Sequence, residues 1–291
     1  MSPGAGLRLC GVALLVSGVF GVAAGTAAGP EALASMADAE RAFARASAAR
    51  GMRAAFLEFL DDEAIGFHPA LGRAKDQWAS RPEPANPLAT TLAWDPRTGE
   101  VSADGRLGWL AGPYLLVPDG DASKTIYGCY SSIWRGDVPG AWRVYIDLGV
   151  STPAPCEFAA AFEAVPGRAA PGETGTRDAL LAVDRALDAS SQADGFASAF
   201  GAAAAANVRR HREGQQPAVG RDAVVAAIAA DRTRWVFESV DGAVAGSGDL
   251  GFTYGRAQRA GAANADGGYY LRTWRVAPGG AWRVVFDVVA R

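Results

Sequence analysis

Apolar residues at Leu33, Met36, Phe43 and Ala46 recur at helical spacing and predict a first helix. Gly51 interrupts it, and Met52, Phe56, Phe59 and Leu60 predict a short second helix that ends at Asp61-Asp62-Glu63. Ala64–Phe67 reads as a short strand closed by His68-Pro69, followed by a small helix around Lys75–Trp78 and a Pro-rich loop over 81–87. Strands then dominate, roughly Leu88–Trp94, Leu107–Val117, Lys124–Arg135 and Ala141–Gly149. Pro139-Gly140 marks a turn that would make the last two a hairpin. Simple alternation along the last strand puts Trp142, Val144, Ile146 and Leu148 on one face, with Arg143 and Asp147 on the other.

The pattern occurs twice. Gly140-Ala141-Trp142-Arg143-Val144 returns as Gly280-Ala281-Trp282-Arg283-Val284, an offset of 140 (282 − 142). Trp134-Arg135 matches Trp274-Arg275 at the same offset. Upstream the offset becomes 143 (Gly99 with Gly242) and then 144 (Phe56 with Phe200), the changes falling between elements, where loops absorb insertions. The period is too long for a solenoid, whose units run about 20 to 50 residues. Two domains of roughly 115 residues fit instead, residues 32–150 and 177–291, joined by a Pro-rich linker over 151–176 that holds Pro153, Pro155, Pro166 and Pro171. Helices leading into an antiparallel sheet predict an α+β fold in which each sheet curls on its first helix as a cone with one mouth. Such a cone holds a small apolar ligand or buries its own side chains.

Arg8 is followed by no charge until Glu31, and Leu9–Val16 forms an apolar run before a Gly/Ala-rich tail. This reads as a signal peptide over 1–27, cut between Ala23 and Ala28, which sends the protein to a bacterial periplasm or outside the cell. An uncleaved anchor is the alternative, although Gly18, Gly21 and Gly25 make the run a poor span. No later segment is apolar enough to cross a bilayer. A net charge of −3 argues against nucleic acid as a partner. Export would bring Cys129 and Cys156 into an oxidising compartment, where they stand either free or paired.

Glu40-Arg41-Ala42-Phe43, Asp61-Asp62-Glu63-Ala64, Gly72-Arg73, Tyr130, Trp134-Arg135 and Trp142-Arg143-Val144 together resemble the nuclear transport factor 2-like superfamily. More narrowly they resemble its bacterial domain-of-unknown-function 4440 family, related to SnoaL-like cyclases and ketosteroid isomerase. Asp184-Arg185-Ala186-Leu187, Gly220-Arg221-Asp222, Tyr270, Trp274-Arg275 and Trp282-Arg283-Val284 carry the same resemblance in the second repeat. It implies a cone-shaped barrel but no single activity, since members include isomerases, cyclases, ligand binders and oligomerisation modules. His68-Pro69 falls where ketosteroid isomerase-like members place an Asp-Pro whose Asp shuttles protons at the pocket mouth. The resemblance also implies a last-strand carboxylate, here Asp147, as acid partner.

The chain has two histidines, His68 and His211, which align at an offset of 143 (211 − 68). His68, Asp147 and Tyr130 are the candidate catalytic residues, His68 because an imidazole titrates near neutrality. Trp94, Trp109, Tyr114, Trp134, His211, Tyr270, Trp274 and Asp287 are candidate ligand-binding residues, the alternative being that the aromatics are core and the acids are ion-paired to Arg143 and Arg283. No cofactor or metal is expected: no His-Glu-x-x-His or Cys-x-x-Cys occurs. Gly246-Ser247-Gly248-Asp249-Leu250-Gly251 has the letters of a dinucleotide loop but leads into a strand rather than a helix. Three readings stay open: binding of a small, largely apolar molecule, isomerase, dehydratase or cyclase chemistry with His68 as base, and a structural module. In each the two domains are expected to form an intramolecular pseudo-dimer with convex sheet faces in contact.

Overall fold

The computed structural model describes residues 1, 29–138, 140–165, 175–231, 233–261 and 267–291. The leader with its cut between Ala23 and Ala28 lies outside the described residues apart from Met1, as do Pro139, Pro166 and Pro171. The first half runs α1 (Gly29–Arg50), α2 (Met52–Phe59), β1 (Leu60–Gly66), β2 (Gly72–Arg73), α3 (Ala74–Ala79), β3 (Thr91–Trp94), β4 (Thr98–Val101), β5 (Leu107–Val117), β6 (Ile126–Arg135), β7 (Arg143–Thr152) and β8 (Glu163–Ala164). The second runs α4 (Arg177–Asp194), α5 (Phe196–Ala203), β9 (Ala204–Arg212), β10 (Ala218–Val219), α6 (Arg221–Ala230), β11 (Trp235–Val244), β12 (Leu250–Arg259), β13 (Gly268–Val276) and β14 (Trp282–Ala290).

The fold is α+β, with two separate sheets of matching order. The first is β2-β1-β7-β6-β5-β4-β8, with β3 also on β5, and the second is β10-β9-β14-β13-β12-β11. Most pairs are antiparallel, but β1 and β9 run parallel to β7 and β14. The single strand β11 corresponds to the pair β3 and β4, because Asp95-Pro96-Arg97 breaks the first version. Proline has no N–H for the ladder and disrupts a strand interior. The acidic run at Asp61 belongs to β1 rather than to the end of α2. Part of the linker joins the first sheet, as β8 pairs with β4.

Gly51 separates α1 from α2 with φ 87°, and Gly195 separates α4 from α5 with φ 84°. Glycine adopts this left-handed backbone without strain. A Cβ on Gly51 would also lie 2.4 Å from the Pro87 carbonyl oxygen.

Each sheet buries both faces. One face closes on the helices of its own half, with Met36, Phe43, Phe56, Trp134 and Val144 in the first core and Leu180, Phe200, Trp274 and Val284 in the second. The other face meets the opposite sheet in a shared apolar cluster that includes Phe67, Trp109, Ile146, Leu148, Phe252, Tyr254, Leu271 and Phe286. Trp109 packs on Phe286 with centroids 5.0 Å apart, and Phe67 on Tyr254 at 6.1 Å. At the rim the Gly-rich segment proves to be a turn: Ala103 N donates to Asp249 Oδ2 at 3.0 Å and Ser247 N donates to Asp104 Oδ2 at 3.0 Å. The ion pair of half-buried Arg275 with buried Glu100, 2.9 Å, also joins the halves.

Strict alternation fails on β7. The ladder pairs Ile133 with Ile146 but Trp134 with Val144, so Tyr145 is an extra residue in a bulge. A bulge moves the following side chains to the opposite face. Trp142 and Val144 therefore pack on the helices, whereas Ile146, Leu148 and Val150 pack on the other sheet. Asp147 lies on the helix side with Trp142, not opposite it. The expected pair with Arg143 does not form among the described residues; Arg143 donates to the Trp142 carbonyl instead. β14 bulges at the same place, pairing Thr273 with Phe286 and Trp274 with Val284. Arg283 likewise donates to the Ala202 carbonyl, at 2.6 Å, rather than to Asp287.

Cys129 on β6 and Cys156 after β7 form a disulfide, with Cα atoms 5.5 Å apart. It pins the start of the linker to the face of the first sheet that meets the second.

Candidate functional site

The interior of the first cone holds a cavity of about 320 Å³. Phe56, Trp78, Leu92, Trp94, Tyr114 and Leu116 form its walls, and Tyr130, Asp147 and Gly149 its floor. The register explains the floor: Tyr130 pairs with Gly149 and Ser132 with Asp147. Gly149 keeps the floor low, and Gly128 lets Tyr114 lie on the sheet, since a Cβ there would sit 2.2 Å from the Tyr114 ring. Arg81 stacks at the mouth, 3.8 Å above the Trp78 ring, which in turn stacks on Phe56.

Behind the floor lies Glu40 of α1, buried on the apolar stripe between Met36 and Phe43. It accepts hydrogen bonds from Trp94 Nε1 at 2.6 Å, Ser132 Oγ at 2.6 Å and Trp134 Nε1 at 2.7 Å. No cation pairs with it among the described residues. Burial raises its pKa, and the three donors offset that only in part. Asp147 keeps some accessible surface where it borders the cavity. Its carboxyl is pushed up to about 8, first by burial and then by the nearby charge of Glu40, against one backbone hydrogen bond. Among the described residues the Tyr130 hydroxyl is buried without a hydrogen-bond partner. Burial and then the Glu40 and Asp147 charges hold its pKa well above the ordinary value. Tyr114 is pushed up to about 12, by burial and by the charges of Glu213 and Asp147.

The floor of the second cone is built on the same register with different contents. Tyr270 pairs with Val289 and Arg272 with Asp287. Arg272, fully buried, replaces Ser132 (132 + 140 = 272). Its guanidinium donates to Asp184 at 2.7 Å, Asp188 at 2.9 Å and Asp287 at 3.3 Å. It also lies 4.3 Å from the Tyr270 ring and 4.6 Å from the Phe237 ring. Tyr270 donates to Asp184 at 2.7 Å, and Arg210 reaches Asp287 at 3.2 Å. Asp188 is raised to about 6 by burial, a shift that Arg272 opposes. A cleft of about 570 Å³ opens between the start of α5 and the end of α6, lined by Phe196, Arg210 and Trp235 but not by Tyr270 or Asp287.

Of the candidate residues, Tyr130, Asp147, Trp94 and Tyr114 converge on the first cavity. Trp134 lies behind it against Glu40. Trp109 does not line it; it is buried between the sheets and donates to Glu100 at 3.4 Å. His68 is exposed after β1 and lines a separate cleft of about 620 Å³ between the halves, with Phe67, Glu238, Arg256 and Tyr269. It is therefore not brought to Asp147, and the His68–Asp147 acid–base pair is not formed. The two histidines are not equivalent either. Leu60 and Ala204 hold the same place in the ladders, as do Ile65 and Arg209, which fixes the offset at 144 and matches His211 to Phe67. His211 is buried between Phe158 and Phe286, has no hydrogen-bond partner on either ring nitrogen among the described residues, and is held well below its usual pKa by burial and then by Arg209. Tyr270, Trp274 and Asp287 are consumed by the polar core there, Trp274 donating to Thr253 at 2.9 Å. Among the described residues no cluster of side chains has the makings of a metal site, and no helix is long and apolar enough to cross a membrane.

No family model matches the chain. No curated protein matches it. Solved structures do. An NTF-2-like protein of unknown function from Shewanella oneidensis is similar over 39% of this chain and 98% of its own, with 14% identity and a TM-score of 0.33. A ketosteroid isomerase-like protein from Erwinia carotovora is similar over 38% and 93%, with 18% identity and a TM-score of 0.31. An NTF2-like protein of unknown function from Pseudomonas putida is similar over 40% and 89%, with 20% identity and a TM-score of 0.31.

Proposed function

We propose that the first half binds a small, largely apolar molecule without turnover, and that the second half is a scaffold docked against it as the other member of an intramolecular pseudo-dimer. The observation that carries this reading is the first cavity: about 320 Å³, walled by aromatic and aliphatic side chains, with the unpartnered Tyr130 hydroxyl at its floor. Ligand pockets usually measure about 300–1,000 Å³ and combine apolar walls with a few polar groups. The scaffold role rests on the filled interior of the second cone and on the apolar cluster shared by the sheets. Export of the mature chain from a bacterial cytoplasm belongs to the same proposal, supported by the leader pattern and by the Cys129–Cys156 bond.

The test is native mass spectrometry of the purified protein against a library of small apolar compounds, repeated on Leu92→Trp. Tryptophan is the residue at the corresponding position of the second half, Trp235 (92 + 143 = 235), and would fill the cavity. A hit that disappears in Leu92→Trp at unchanged melting temperature supports the reading. A hit that persists moves the site elsewhere, and the absence of any hit removes it.

A further inference from the structure

The two floors differ at the cross-strand partner of the last-strand acid, and also in Gly149 against Val289 (149 + 140 = 289) and Ala44 against Asp188 (44 + 144 = 188). In the second cone the cross-strand partner of Asp287 is Arg272, whose guanidinium sits among acidic groups and against the faces of Tyr270 and Phe237. In the first cone the same partner position holds Ser132, opposite Asp147. The corresponding aromatic faces are Tyr130 (130 + 140 = 270) and Trp94 (94 + 143 = 237), and both line the cavity. Glu40 corresponds to Asp184 (40 + 144 = 184). The first floor thus keeps two of the three acids, Glu40 and Asp147, and both of the rings that surround a cation in the second, but among the described residues it holds no cation. A buried, unpartnered tyrosine hydroxyl points to a missing ligand group at the same spot.

Building on the apolar-ligand reading above, we propose that the molecule bound in the first cavity is a small hydrophobic amine whose ammonium occupies the place that Arg272 fills in the second cone. The ammonium would donate to the Asp147 carboxylate and to the Tyr130 hydroxyl oxygen and lie against the Trp94 face, where ring quadrupoles favour cations. Arg81 at the mouth repels a second positive charge, which selects one charged end, held inward, and an apolar body against Phe56, Leu92 and Leu116. Tyr114 and Glu40 are the remaining titratable groups that face Asp147, and neither supplies a positive charge.

The chemistry fixes a pH signature. The Asp147 carboxyl is pushed up to about 8, so at pH 6 to 7 it is mainly protonated in the empty cavity and must release that proton to hold an ammonium. Affinity for an amine should therefore rise close to tenfold per pH unit from pH 6 until about pH 8, with nearly one proton released per molecule bound at pH 6.5. A neutral isostere that accepts from the protonated carboxyl should weaken over the same range.

The experiment is isothermal titration calorimetry of the full chain with naphthylmethylamine and naphthylmethanol at pH 6, 7 and 8, in two buffers of different ionisation enthalpy. The expected result is a preference for the amine of tenfold or more at pH 8, the pH slope above, and loss of both preference and slope in Asp147→Asn. Ser132→Arg, which supplies the cation from within, should abolish amine binding while the protein remains folded with an undiminished melting temperature. If the alcohol binds as well as the amine and the amine shows no pH slope, the cation is overturned and the apolar-ligand cavity survives. If neither probe binds, the cation and the cavity reading both fall.

Discussion

The two cones share a strand order, a bulge and a floor register, yet the cavity of the first reaches its floor residues Tyr130 and Asp147, whereas in the second Arg272 fills the floor and the cleft stops short of Tyr270 and Asp287. The first keeps Glu40 and Asp147 without a cation, and both carboxyls are shifted up by burial. The second satisfies Asp184, Asp188 and Asp287 with Arg272, whose own pKa is raised by those acids despite its burial. Much of that difference lies at one inward-facing position: Arg272 pairs the acids of its own floor, whereas Ser132 leaves Asp147 without a cation among the described residues. Unpaired acids in a low-dielectric floor are costly to ionise and so are available to a ligand, whereas a closed ion-pair network is not.

The largest test of the contrast is Arg272→Met. It removes the cation and leaves three acids around an apolar side chain, which should lower stability by about 3–5 kcal/mol, read by chemical denaturation. The counterpart Ser132→Ala, which removes a single hydrogen bond to Glu40, should cost only about 1–2 kcal/mol. Similar losses in the two would mean that the floors are not distinct.

A second asymmetry is the disulfide, since Tyr269 holds the Cys129 position of the second half (129 + 140 = 269). Cys129→Ser with Cys156→Ser opens a loop spanning 27 positions, and the chain-entropy treatment puts the loss at about 3–4 kcal/mol. The loss should appear as earlier exchange of amides in β6 and β7, with β13 and β14 less affected, by hydrogen-exchange mass spectrometry.

The smallest effect is the pH dependence of stability. Asp147 binds its proton more tightly folded than unfolded, so its contribution is fully present below about pH 4 and is lost as pH rises through about 8. His211 acts oppositely: buried neutral, it favours the fold above the usual histidine range and loses that contribution on acidification. Between pH 7 and 9 the carboxyl dominates. Melting temperature should fall across that interval in the parent, and Asp147→Asn should flatten the fall. An unchanged slope in the variant would place the titration elsewhere.

Much of this was legible in the chain. The recurrence of Trp134 with Trp274 and of Trp142 with Trp282 announced two matching sheets, and the strands expected over Leu107–Val117 and Lys124–Arg135 are β5 and β6, the second starting two residues later at Ile126. The floor was obscured by the bulge at Tyr145, since an extra residue in a ladder leaves no mark in composition yet reverses the facing of Asp147. The histidines misled because an offset of 143 aligned them by letter, whereas strand pairing sets 144 and matches His211 to Phe67. Two signals were available. Arg272 stands between Tyr270 and Trp274 at an inward-facing position, and a charge there requires acids nearby. Glu40 interrupts the Met36–Phe43 stripe, as a buried acid does.

The most direct measurement of the central contrast is tryptophan indole N–H NMR during titration with the two naphthyl probes. Trp94 Nε1, which donates to Glu40 at the edge of the first cavity, should shift saturably, while Trp274 Nε1, bonded to Thr253 in the filled cone, should not move. Saturable shifts at Trp274 with Trp94 unmoved would contradict the account.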